Sequence, residues 1–144
     1  NYPKENYSHK KYSTEDYVAV CVTSHQFNKE PHTIHDLVSE HLLVREEGSG
    51  TRNILEQSLI AHGLHISNFT HYTQVENMHT IMNLLKKDCG ISFLYKIAVE
   101  KELKSKELKE ITLDDFKLQH DFDIIWEKES IYADKYLSIS EEFI

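Results

Sequence analysis

The stretch that most constrains the fold of this chain is Leu42–Gly63, LLVREEGSGTRNILEQSLIAHG. Leu42, Leu43 and Val44 form a short apolar run that reads as a buried strand. Glu46-Glu47-Gly48-Ser49-Gly50 makes a tight turn. Ile54, Leu55, Leu59 and Ala61 or His62 then recur at helical spacing, and Gly63 stands where a C-capping glycine belongs. A strand that turns directly into a helix leaves N–H groups at the helix start, with the positive end of the helix dipole behind them. That end suits an anion or a carboxylate. The alternative is that the glycines only reverse the chain and Ser49 only caps the helix.

On either side of this unit the hydrophobic pattern alternates between strand and helix. Glu15–Thr23, EDYVAVCVT, is apolar on both faces, which predicts a central or parallel strand. Thr33 caps a short helix over Ile34–Val38, with Asp36 in its first turn. Phe69–Val75 reads as a strand. Glu76 or Asn77 opens a helix with Met78, Ile81, Met82, Leu84 and Leu85 as its stripe, and Gly90 ends it. Ile91–Leu94 is a short buried strand, Ile97–Leu103 a helix, and Leu108–Leu113 and Gln119–Trp126 are strands. Ala133–Phe143 reads as a terminal helix. The expected fold is α/β, with a mostly parallel sheet and helices on both faces.

In such folds ligands sit outside the carboxyl ends of the strands. Here that edge gathers Glu47, Gly48, Ser49, Gly50 and Thr51 from one strand end. Gln74, Glu76 and Asn77 come from a second, and Phe93, Leu94 and Tyr95 from a third. Hydroxyls, an amide, helix starts and aromatic rings suit a small polar or anionic molecule.

Charge and motif content narrow the function classes. The 144 residues suffice for one domain, and the formal net charge of −8 argues against direct nucleic-acid binding, which needs a basic face. No apolar run approaches the roughly 20 residues that span a bilayer, so no membrane partner is expected. There is no GxxxxGK[ST] phosphate loop. The dinucleotide pattern starting at Gly48-Ser49-Gly50 meets Asn53 where its third glycine belongs, and Glu47 breaks a GxSxG elbow at Ser49.

Ten histidines include His32-x-x-His35 and His62-x-x-His65, but no cysteine or carboxylate motif completes either pair as a metal site. Asp114-Asp115 and Glu141-Glu142 are adjacent pairs whose side chains diverge, which reads as solvated charge. Cys21 and Cys89 lie in apolar stretches and are expected to be buried thiols in a reducing compartment. Neither a cofactor, a metal nor a catalytic residue is expected. The start at Asn1, without methionine, reads as the middle of a longer protein.

The run Leu43-Val44-Arg45-Glu46-Glu47-Gly48-Ser49-Gly50-Thr51-Arg52 resembles the RE-x-GSGTR segment of LysR-type transcriptional regulators. Gln74–Asn77 with its helix follows at matching spacing. Cys89-Gly90-Ile91-Ser92-Phe93-Leu94 resembles the family's GIS-x-L strand, and Ala98-Val99-Glu100-Lys101-Glu102-Leu103 its AV-x-x-EL helix. The resemblance covers Tyr12 to Trp126, and the order and spacing of its motifs are more specific than any one of them. One departure is Tyr95, where many members carry proline, which alters the cleft wall near Phe93.

The resemblance implies an effector-binding domain of two α/β lobes, like a type 2 periplasmic binding protein. An N-terminal winged helix-turn-helix would be the only route to DNA. The second lobe would span about 14–126, and segments 1–12 and 130–144 would belong with the first. A small, anionic effector would sit between the lobes against Ser49, Gly50 and Thr51, with Gln74 and Phe93 as further contacts. The implied protein is a cytoplasmic homo-oligomer, with apolar surface around Tyr136, Leu137, Ile139 and Phe143 expected to find a partner. Two alternatives use related folds. One is a lobe of an exported solute-binding protein. The other is a transferase or prephenate-dehydratase-like enzyme, which would need a polar catalytic group at the cleft edge beyond Ser49 and Thr51.

Overall fold

The computed structural model describes the backbone of residues 9–126 and the side chains of residues 15–117. The expected helix over Ala133–Phe143 and the apolar surface around Tyr136 lie outside the described residues. The chain runs β1 (His9–Val22), β2 (His41–Arg45), α1 (Gly50–Ala61), β3 (His71–Val75), α2 (Met78–Lys86), β4 (Ser92–Tyr95), α3 (Lys96–Lys104), β5 (Leu108–Ile111) and β6 (Leu118–Trp126). Short 3-10 turns at Ile34–Leu37 and Ile66–Asn68 join them.

β1 is the centre. Its C-terminal half pairs with β4 on one side (Tyr17↔Tyr95 to Val20↔Ser92) and β5 on the other (Ala19↔Ile111 to Val22↔Leu108). Its N-terminal half pairs with β6 instead, from His9↔Trp126 to Tyr17↔Leu118. The strand therefore starts in a two-stranded ribbon and ends in the middle of a sheet.

The side-chain alternation of β1 explains why both its faces are apolar. Tyr17, Ala19 and Cys21 join Leu55 and Leu59 of α1 in one core cluster. Val18, Val20 and Val22 join Ile81 and Leu85 of α2 and Val99 of α3 in the other. Each such aliphatic side chain contributes about 1.5–3 kcal/mol by leaving water. Helices thus cover both faces, as expected.

The expectation of a mostly parallel sheet fails. Every ladder made by β1 is antiparallel, and the parallel pairing is β2 with β3, Leu43↔Thr73 at its centre. An isolated parallel bridge, Leu42↔Ile91, links this pair toward β4. The physical reason is that β1 enters before any crossover helix and runs against its neighbours. Alternating strands and helices in the sequence reveal crossovers but not the direction of a strand that precedes them.

Gly90 makes the β2–β4 approach possible. Leu43 donates to the Ile91 carbonyl at 2.8 Å and Ile91 donates to His41 at 2.8 Å. A Cβ on Gly90 would lie 2.5 Å from the His41 carbonyl oxygen. The helix ends follow their expected signals. Asn77 caps α2 by accepting from Thr80 N–H at 2.8 Å, and Gly63 follows α1 at φ +74°.

The cysteines differ from expectation in one case. Cys21 is buried, and burial pushes its thiol up to about 11. Cys89 is exposed, because it follows Asp88, whose φ of 58° turns the chain outward as α2 ends.

Candidate functional site

The carboxyl ends of β2, β3 and β4 meet one edge, and the N-termini of α1, α2 and α3 open there. β1 leaves the sheet for its ribbon at the same edge, since Tyr17 pairs with Tyr95 at the end of β4. The α3 start is already occupied by an internal anion, because the Glu15 carboxylate accepts from Ile97 N–H at 3.1 Å. The α1 and α2 starts are capped by neutral side chains, Ser49 and Asn77, with no acidic residue in either first turn.

Ser49 stands at the head of α1. Its N–H donates to Glu46 at 3.2 Å to close the turn, and its Oγ accepts from Arg52 N–H at 3.4 Å. Capping and an outward hydroxyl proton are compatible, because a serine oxygen accepts while its O–H donates elsewhere. Gly50 begins the helix beside it. Thr51 is buried, and its carbonyl accepts from the Tyr17 hydroxyl at 3.1 Å, which ties the first turn of α1 to β1. Tyr17 is fully buried. Burial first, and the neighbouring Tyr95 second, push its phenol well above the usual range, so it acts as a neutral donor.

Gln74, at the end of β3, reaches this turn through Arg52. Arg52 Nη1 donates to Gln74 Oε1 at 3.2 Å and to the Arg45 carbonyl at 3.1 Å. Its Nε donates to Glu56 at 2.9 Å, and Glu47 stands 3.7 Å from Nη2. One guanidinium therefore joins the end of β2, the end of β3 and the first turn of α1. Glu46 pairs with Arg45 at 2.9 Å, and that hydrogen bond holds its carboxyl below the ordinary value.

Phe93 lies beneath the turn instead of on the open edge. It is buried, stacks on Tyr17 with ring centroids 6.5 Å apart, and meets Phe116 edge-on at 5.3 Å. Thr51 and Phe93 line one small void of about 10 Å³, too small for an effector. A larger cavity of about 530 Å³ lies between the middle of β1, the end of β5 and the 112–117 segment, with Tyr17, Leu113 and Phe116 among its apolar walls and Asp16 and Lys117 at its polar ones. None of the five sequence-predicted residues lines that cavity.

Sequence reasoning thus brings Ser49, Gly50 and Thr51 to one helix start and reaches Gln74, but misses three residues that organise the place. Arg52 had a readable signal, its i,i+4 spacing to Glu56 directly after the turn. Tyr17 was legible only as a strand residue. Phe116 sits in an irregular stretch between two strands and gives no periodic signal. Among the described residues no group of three or more His, Cys, Asp and Glu side chains is placed to hold a metal ion.

The sequence profile of the LysR substrate binding domain matches residues 3–132. The chain belongs to the LysR substrate-binding family. Among curated proteins, this LysR domain is 29% identical over 83 residues to the HTH-type transcriptional regulator YeiE of Escherichia coli K12, covering 58% of this chain and 27% of that protein. It is 30% identical over 94 residues to the HTH-type regulator CbbR of Rhodospirillum rubrum, covering 65% and 30%.

The chain therefore spans less than a third of the length of these curated relatives. Solved LysR regulatory domains share the fold. The CcmR regulatory domain of Synechocystis, in complex with 2-PG, superposes at TM-score 0.63 with 21% identity over 96% of this chain and 67% of that one. The effector-binding domain of QuiR, in complex with shikimate, superposes at 0.62 with 15% identity over 93% and 65%. Among the described residues no helix is long and apolar enough to cross a membrane.

Proposed function

We propose that this chain is the ligand-sensing part of a LysR-type transcriptional regulator, with residues 14–126 as the second of its two lobes and the flanking segments belonging to the first. A small anionic effector is held between the lobes by the Ser49 and Thr51 hydroxyls and the Gly50 N–H, with Gln74 beside them and Phe93 as the layer beneath Thr51. Closing on the effector shifts the packing of lobes and subunits, and so biases a DNA-bound homo-oligomer in the cytoplasm between two states. The role is sensing, with no chemical step.

The observation that carries this reading is the Tyr17–Thr51 hydrogen bond. It fixes the start of α1 at the foot of the β1–β6 ribbon, where a lobe reached through that ribbon would face it. The neutral Ser49 cap leaves the α1 dipole available to an anion, in contrast with α3 and its Glu15 carboxylate. The names of the curated relatives favour a regulator over an exported solute-binding protein.

The test is a thermal-shift screen of small carboxylates and phosphate esters against the full-length regulator, followed by calorimetry on Ser49→Ala and Thr51→Val. Loss of one hydrogen bond to a charged ligand should weaken binding by about tenfold or more. A ligand bound with equal affinity by the wild type and both variants would show that it does not use this turn.

A further inference from the structure

His62, the residue that ends α1, makes two contacts that a neutral imidazole cannot both satisfy. Its Nδ1 lies 2.8 Å from the Ser58 carbonyl oxygen and its Nε2 lies 2.7 Å from the Asp115 carbonyl oxygen. A backbone carbonyl only accepts. Neutral histidine offers one N–H and one lone pair, so in either tautomer one nitrogen would point its lone pair at a carbonyl. The imidazolium, with two N–H donors, satisfies both. The two acceptors belong to different parts of the fold, the last turn of α1 and the 112–117 segment between β5 and β6.

We propose that His62 is a protonation latch that docks the 112–117 segment onto the C-terminal end of α1. This inference is independent of where an effector binds. The segment is otherwise held at few points. Asp114 N–H donates to the His32 carbonyl at 2.7 Å, and the Asp115 carboxylate accepts from Ile34 N–H at 2.9 Å. Leu113 and Phe116 are buried in the core, and the Phe116 ring lies 6.0 Å from the His62 ring. Phe116 also packs on Tyr17 and Phe93, and Lys117 leads directly into β6. The latch thus sits at the foot of one strand of the ribbon.

The elements packed around His62 carry charges of both signs, and the one that acts on the ring is acidic. On the 112–117 segment these are Asp114, Asp115 and Lys117, and the Asp115 carboxylate is the charge that acts on the ring. On the neighbouring 34–37 turn, Asp36 is turned away to accept from the N–H groups of His32 and Thr33. The helix adds the negative end of its dipole. The bonds to Ser58 and then to Asp115 accordingly raise the imidazole above its ordinary value. A raised folded-state value means that the latch is fully closed below the unfolded-state pKa. It opens as pH rises through the folded-state pKa.

The test uses the chain itself. Imidazole nitrogen shifts are followed by NMR across neutral pH, with His62 assigned by comparison with His62→Gln. Amide exchange at Asp114 and Phe116 is measured over the same range and corrected for intrinsic rates. The expected result is a His62 titration above the ordinary value of about 6.5, with Asp114 protection falling by about tenfold in the same pH interval as one charge-assisted hydrogen bond is lost.

In His62→Gln that step should vanish. Asp115→Asn keeps the carbonyl and removes the carboxylate, so it should move the step to lower pH without abolishing it, and it serves where His62→Gln does not fold. The proposal is overturned if His62 titrates at or below the ordinary value in the folded chain. It is equally overturned if the protection step persists in His62→Gln or stays in place in Asp115→Asn.

Discussion

Removing the Arg52 guanidinium should cost more than removing any other partly exposed charge among the described residues, for reasons that can be apportioned. The side chain is only 10% exposed. Two of its acceptors are neutral dipoles, the Arg45 carbonyl and the Gln74 amide oxygen. A hydrogen bond from a charged donor contributes about 1.5–3 kcal/mol when buried, and partial water access at Gln74 brings that bond toward the bottom of the range. The Glu56 pair is i,i+4 and half-exposed, worth about 0.3–0.5 kcal/mol, and Glu47, 84% exposed at 3.7 Å, adds close to nothing.

Arg52→Met keeps much of the stem and loses the head, so it should destabilise by about 2 kcal/mol, and Arg52→Ala by about 3, as packing is lost too. A Gln74→Ala cycle should show a coupling of about 0.5–1 kcal/mol. The assay is urea unfolding followed by far-UV circular dichroism, at low salt and at about 0.5 M salt, where exposed charges are screened. The reasoning fails if Arg52→Met costs less than about 0.5 kcal/mol. It also fails if high salt erases the difference, since the glutamates and not the dipoles would then hold the arginine.

Two further outcomes follow from the geometry. Gly90→Ala should destabilise by about 1–3 kcal/mol in the same assay, because the new methyl meets the rigid His41 carbonyl that anchors β2 to β4. His25 should give a pH-dependent difference. Its Nδ1 lies 2.6 Å from Asp88 and its Nε2 2.7 Å from Glu40. Desolvation lowers its pKa, but the hydrogen bonds and charges of Asp88 and Glu40 together outweigh it, and the net shift is upward. The contribution is therefore complete below the unfolded-state value and lost as pH rises through the folded one. The stability gap between wild type and His25→Gln should be about 1 kcal/mol at mildly acid pH and close on the alkaline side. A gap that widens with pH would contradict it.

Much of this was readable because local physics decided it. Asn77, Ser49 and Gly63 mark helix ends through their own backbone preferences, and the Tyr17–Val22 part of β1 declares its central place by having no polar face. What escaped was decided by partners distant in sequence. Nothing near Glu15 states that the strand runs against β4 and β5. Gln74 looked like a free polar group at a strand end, yet its amide oxygen accepts from Arg52. Phe93 belonged to a strand end by position but to the core by the side from which Phe116 covers it. Cys89 follows an apolar helix and is nonetheless exposed, since one left-handed residue redirects the chain.

The change of partner along β1 has a mechanical consequence. His9 to Val22 is one strand, so ribbon and sheet share an axle with no joint in it. Torsion applied to the ribbon is delivered to the central strand of the sheet, and at Tyr17 it acts directly on the first turn of α1. The return path is built differently, for β6 is separated from β5 by the irregular 112–117 segment. One arm of the ribbon is a stiff shaft and the other has slack. Twisting should therefore pivot about β1, with the length change taken up beside Phe116.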